Sequence, residues 1–236
     1  FMSPESMKHA VQKVLDCHNQ NVMVTDRGTM FGYQDMIVDF RGIPTMQQYA
    51  TTVLDVTHSL QQPNQTEGVT GGRPDRIETI AKESGAEIFL DLKLHDIPHT
   101  VAGAARAIAD LAPTFLTVHA SGGASMVKAA VEALPNSKVT AVTILTSLSE
   151  EDLFQIGFAN AALESAVALA KMSVDSGAKA IVCSPLEISA IRSAVGDETL
   201  IITPGVRPLS EVGTDDQKRT MTPRAAIAAG ASLVVI

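Results

Sequence analysis

The chain has 236 residues, 45% of them hydrophobic and 19% charged, with a formal net charge of -8. That length suits one large domain with a real core, and an acidic balance without a basic stripe excludes nucleic acid as a partner while leaving small anions open. No apolar run is long enough to span a membrane and no signal peptide is visible, and the two cysteines, Cys17 and Cys183, show no metal spacing, so a reduced, cytoplasmic setting is expected.

The chain starts with a helix. Ser3-Pro4-Glu5 supplies a cap, a first-turn proline and a first-turn acid, and Met7, Ala10, Val11, Val14 and Leu15 recur on one helical face. Val22–Gly28 reads as a strand with a polar mouth, closed by Asp26 and Arg27. Met36–Phe40 fits either a strand or a helix start, Ile43–Ala50 a brief helix, and Thr52–Ser59 a second strand ending in polar residues. Gln61–Gly72 is rich in Gln, Asn, Gly and Thr and reads as a loop, followed by a helix over Arg73–Ser84.

Ile88–Leu90 is an apolar run that leads into Asp91-Leu-Lys93-Leu-His-Asp96-Ile-Pro98-His-Thr100 and then a helical pattern from Val101. Period-2 alternation puts Asp91 and Lys93 on one face of a strand, and Asp96 follows at its carboxyl end. An ammonium between two carboxylates is more charge than a barrel strand needs. It marks a reactive site at the strand end, where parallel α/β folds do their chemistry.

Beyond this stretch the alternation is regular. Strands are expected at Phe115–Val118, Val139–Ile144, Ala180–Cys183, Leu200–Thr203 and Ser232–Ile236, with helices over Ala124–Leu134, Ala161–Ser176, Leu186–Val195 and Pro223–Ala229. Thr222-Pro223 repeats the cap-then-proline start, Gly177 and Gly230 stand where helices end, and His119 at a strand end lines the mouth. The strands number two in the first third, one at the central motif and five after it, which is an α/β, single-domain (β/α)8 TIM barrel over residues 1–236. It starts with a helix and ends on its last strand.

The Asp91–Thr100 stretch resembles the signature of orotidine 5′-phosphate decarboxylase. So do Leu116–Gly123, Ile144–Ser147, Thr203–Pro208 and Asp215–Pro223, and the resemblance covers about residues 80–236. It implies that Lys93 supplies the proton replacing the departing carboxylate, and that Asp91 and Asp96 join an Asp/Lys network, Asp96 reaching a neighbouring subunit's site. It further implies contacts from Thr100 and Thr146 to the nucleotide or base, contacts from Arg207 and Gln217 to the phosphate, and no cofactor or metal.

The first third, about residues 1–78, resembles 3-deoxy-D-manno-octulosonate 8-phosphate synthase through Phe1–Met7, Val22–Tyr33, Val53–Ser59 and Gly71–Arg73. On that basis the chain is expected to be an engineered or chimeric barrel, joined in the helix that includes Ile77 to Lys82. In it Asp26 stands in for a ribose-binding Asp, Arg27 resembles a phosphate-binding residue, and His58 is a weak metal candidate. The second strand offers Asp55 and His58 but no network Lys, and the sequence stops at Ile236 before a phosphate-binding Arg. Each lost charged contact costs on the order of 3 kcal/mol of transition-state stabilisation. The expectation is therefore a scaffold with weak or lost activity, leaning away from an enzyme. It would hold phosphate or nucleotide at the mouth, as a monomer or weak homodimer. The alternative is an active decarboxylase converting OMP to UMP and CO2 through Lys93.

Overall fold

Capping and periodicity act first at the amino end. In the computed structural model, which describes residues 3–16, 18, 20, 22–29, 36–62, 71–84, 87–206 and 221–235, the Ser3 hydroxyl accepts the Ser6 amide and Pro4 opens a 3-10 turn, Pro4–Ser6. The turn runs into α1 (Met7–Leu15), which buries Val11 and Val14. Cys17 lies outside the described residues. The described residues group into two compact units, Phe1–Ala86 and Glu87–Ile236.

In the first unit, β1 (Met23–Asp26) pairs in parallel with β2 (Thr51–Leu54), Met23 opposite Thr51 and Asp26 opposite Leu54. α2 (Gly42–Gln47) makes the crossover. Val11, Val24 and Met46 form its small core, with Met7, Leu15, Ile43 and Tyr49 around them. The run Met36–Phe40 is neither a strand nor a helix start. Ile37 instead makes an isolated antiparallel bridge to Thr29, with both amide bonds at 2.8 Å.

The second expected strand is shorter than Thr52–Ser59. Asp55 turns its carboxylate onto the His58 amide and caps a one-turn helix, α3 (Val56–Ser59). The segment read as a loop is tied at its two ends by an antiparallel pair, β3 (Gln61–Gln62) with β4 (Gly71–Gly72). α4 (Ile77–Glu83) follows a 3-10 turn at Pro74–Arg76.

The second unit is one parallel sheet. Its strands are β5 (Phe89–Leu94), β6 (Phe115–His119), β7 (Lys138–Val142), β8 (Ala180–Val182), β9 (Leu200–Thr203) and β10 (Leu233–Val234), in the order β10-β9-β8-β7-β6-β5. The connecting helices are α5 (Pro98–Ala107), α6 (Ala124–Ala133), α7 (Glu150–Gln155), α8 (Ala162–Asp175), α9 (Ile188–Val195) and α10 (Pro223–Ala228). Strands buried on both faces read as continuous apolar runs, as Leu116, Val118, Val139, Ala141, Ile181 and Ile201 do here. They pack with Met126 and Val127 of α6, Ala166 and Ala170 of α8, and Ile188 and Ile191 of α9.

Helix α7 was not anticipated, although its signal was present: Ser149 and Asp152 form a reciprocal capping box. Glu150, in its first turn, accepts the Ala162 amide and so starts α8 as well. Thr222 caps α10, and Gly177 and Gly230 close α8 and α10 with φ of +100° and +109°, where a side chain is disfavoured. Among the described residues, no helix is long and apolar enough to cross a membrane.

Among the described residues, β5 stands last in the strand order of this sheet, and it departs from regular pleat. Lys93 has φ +50°, and the pairing with β6 shifts between Leu90 and Leu94. The period-2 argument for Asp91 and Lys93 therefore fails as stated, because a left-handed residue breaks the alternation. The two side chains meet for a different reason.

Candidate functional site

The site is built from the carboxyl end of β5. Lys93 Nζ lies 2.5 Å from Asp91 Oδ2, and both side chains are close to half exposed. A half-exposed ion pair contributes little to stability, about 0–1 kcal/mol, so its fixed geometry is better understood as serving a site. That geometry comes from β6. The buried Thr117 hydroxyl accepts the Lys93 amide hydrogen at 2.9 Å and donates to Asp91 Oδ1 at 2.8 Å.

The next side chains along each strand complete the cluster. His95 follows β5 and His119 ends β6, their ring centres 5.4 Å apart. Because all strands of the sheet run parallel, these groups share one edge with the loop after β7, where Thr146 sits half-buried. Burial holds the His119 imidazole below the ordinary histidine range, His95 and Lys93 push it the same way, and Asp91 opposes them.

The other expected residues are placed as follows. Asp96 turns Oδ1 onto the Ile97 amide at 2.6 Å, and among the described residues the ion pair of Lys93 is with Asp91, not Asp96. Thr100 is exposed in the first turn of α5. Arg207 and Gln217 lie outside the described residues. In the first unit, Asp26 Oδ1 accepts the Gly28 amide at 2.8 Å, Arg27 is exposed, and His58 Nδ1 pairs with Asp55 Oδ2 at 2.6 Å. That pairing commits the His58 ring to the cap of α3. Among the described residues, no three His, Cys, Asp or Glu side chains cluster as metal ligands would.

Two members of the cluster were not singled out from the sequence, Thr117 and His95. Thr117 carried a usable signal, being a hydroxyl inside an otherwise apolar buried strand, two residues before His119 on the same face. His95 had a weaker one, its place inside the charged Asp91–Asp96 run.

The Orotidine 5′-phosphate decarboxylase / HUMPS family model matches residues 64–236. The chain belongs to this family. The orotidine 5′-phosphate decarboxylase of Thermobifida fusca (strain YX) is 53% identical over 163 residues, covering 69% of this chain and 70% of that protein. The corresponding enzyme of Frankia casuarinae is 51% identical over 154 residues; the match covers 65% of this chain and spans 56% of the Frankia protein. The crystal structure of orotidine 5′-phosphate decarboxylase from Lactobacillus acidophilus superposes with a TM-score of 0.58 at 40% identity, covering 67% of this chain and 70% of that one.

Membership in the orotidine 5′-phosphate decarboxylase family carries the fold class, α/β of the (β/α)8-barrel type, with parallel strands alternating with helices in both units. It also corrects the functional expectation. The family match begins at residue 64, upstream of the border expected near residue 79, and spans the whole signature. With relatives above 50% identity that are decarboxylases, the reading of a two-family hybrid scaffold with weak or lost activity is overturned, and so is the lean away from an enzyme. The findings back the alternative reading.

Proposed function

We propose that the chain is a cofactor-independent carboxy-lyase that converts orotidine 5′-monophosphate to UMP and CO2. The observation that carries the reading is the Asp91–Lys93 pair at the carboxyl end of β5, held from β6 by Thr117. With the substrate's carboxylate beside Asp91, two like charges meet in the ground state. That repulsion is relieved when the bond from C6 to the carboxylate breaks, CO2 leaves and the electron pair stays on C6. The Lys93 ammonium stabilises the developing carbanion and then transfers a proton from Nζ to C6, and the neutral amine is reprotonated from water.

Around this centre, Asp96 extends the field, Thr100 and Thr146 contact the nucleotide or base, and Arg207 and Gln217 bind the phosphate. The reaction runs in the cytoplasm on a monomer or weak homodimer. The test is decarboxylation of orotidine 5′-monophosphate followed by ultraviolet absorbance, with Lys93→Ala in parallel. Saturable turnover that disappears in the variant is the expected result. Turnover indifferent to the substitution, or none from protein with a cooperative melt, overturns the reading.

A further inference from the structure

The pairing of β5 with β6 carries more than the pair it presents. Leu90 is opposite Leu116 and Leu94 is opposite Val118, so Asp91, Leu92 and Lys93 face the single residue Thr117. A backbone ladder cannot serve that surplus, and Lys93 takes φ +50°, which a side-chain-bearing residue rarely adopts without support. The support is one side chain. Thr117, 1% exposed, uses its hydroxyl as acceptor for the Lys93 amide and as donor to Asp91 Oδ1.

Other buried threonines of the sheet do not behave this way. Thr140 returns its hydroxyl to Lys138 of its own strand, and Thr143 gives its hydroxyl to a main-chain carbonyl, that of Val182. Both satisfy a buried donor with a main-chain carbonyl. Thr117 alone among these three spends its hydroxyl on a backbone amide and a carboxylate of the reactive pair. A hydroxyl has one hydrogen, so donation to Asp91 requires the carboxylate to accept.

We propose that Thr117 is a positioning residue for the decarboxylase site, its hydroxyl fixing both the Lys93 backbone and the Asp91 carboxylate so that the ammonium is aimed at the reacting carbon. The inference rests on the decarboxylase reading given above. Thr117 touches neither substrate nor reacting atoms; it acts through Lys93 and Asp91. Removing the hydroxyl leaves the charges present and their aim loose, which lowers kcat more than it raises KM.

The experiment compares wild type, Thr117→Val, Thr117→Ser and Lys93→Ala in decarboxylation kinetics, with amide hydrogen exchange at Lys93 measured on each Thr117 variant. Valine keeps the buried shape, and a melt confirms folding. Thr117→Val is expected to lose kcat on the order of 10- to 100-fold with KM changed about twofold or less, and Thr117→Ser to recover most of it. Faster exchange of the Lys93 amide is expected in the valine variant and not in the serine one. Wild-type kcat in Thr117→Val, or lost kcat with an unchanged Lys93 amide, overturns the inference while Lys93→Ala still upholds the decarboxylase reading. An inert wild type sinks that reading instead, and unchanged Lys93 exchange in Thr117→Val then overturns the positioning role on its own.

Discussion

His119 sets its ring 5.4 Å from that of His95, the two planes tilted by 47°. The pair stands at the carboxyl ends of β5 and β6, within the electrostatic reach of Lys93 and Asp91. Burial of the His119 ring, with the exposed His95 and the Lys93 ammonium beside it, disfavours a proton on His119, which makes its titration a reporter of the reactive pair.

The first prediction follows from the sign of that shift. Burial, with His95 and Lys93, lowers the His119 pKa from 6.5. Between its folded value and 6.5 the unfolded chain binds more protons than the folded one, so stability rises with pH across that window. The penalty is absent above 6.5, grows as pH falls, and is complete below the folded value. Histidine ring NMR should show Lys93→Ala moving His119 back up and Asp91→Asn moving it further down. The reverse order would contradict the arrangement.

Charge removal at the reactive pair should show in rate and not in stability. Lys93→Ala is expected to lower kcat at least about 1000-fold, and Asp91→Asn to lower it strongly as well. Because the pair is half exposed, thermal midpoints should move little in either variant. A large loss of stability with rate preserved would assign the pair to the fold.

Arg192 offers the clearest stability test. Its guanidinium donates to the carbonyls of Gly196, Thr199 and Gly230 and to the Ser232 hydroxyl, tying α9 to the turn after α10 and to the start of β10. Arg192→Met keeps the aliphatic stem but strands these acceptors, and should cost about 3 kcal/mol in urea unfolding. Arg192→Lys should recover little, since an ammonium cannot reproduce the planar fork.

Two glycines with nearly the same φ separate conformational strain from crowding. Gly177 has φ +100° and a Cβ there would lie 3.1 Å from Val131 Cγ1; Gly157 has φ +98° and nothing within 4 Å. Gly157→Ala should cost about 1 kcal/mol, from the backbone alone, and Gly177→Ala clearly more. Equal losses in thermal melts would mean that Val131 gives way freely.

What the sequence determined by itself is local. Caps such as Thr222-Pro223, the helix stop at Gly177, the apolar runs of β6 to β9 and the charged Asp91–Asp96 stretch are each decided within a few residues, where capping, φ preference and periodicity act. The same locality explains the misses. The strand expected over Thr52–Ser59 stops at Leu54 because Asp55 caps α3 and ends the extension, and α7 was passed over although Ser149 and Asp152 spelled its cap. Only the tertiary structure decided how the reactive pair is held. Thr117 and Lys93 are 24 positions apart, and their bond exists because a register shift sets three residues of β5 against one of β6. Periodicity assumes an unbroken pleat, whereas that shift arises from packing between strands, which no stretch of sequence contains alone.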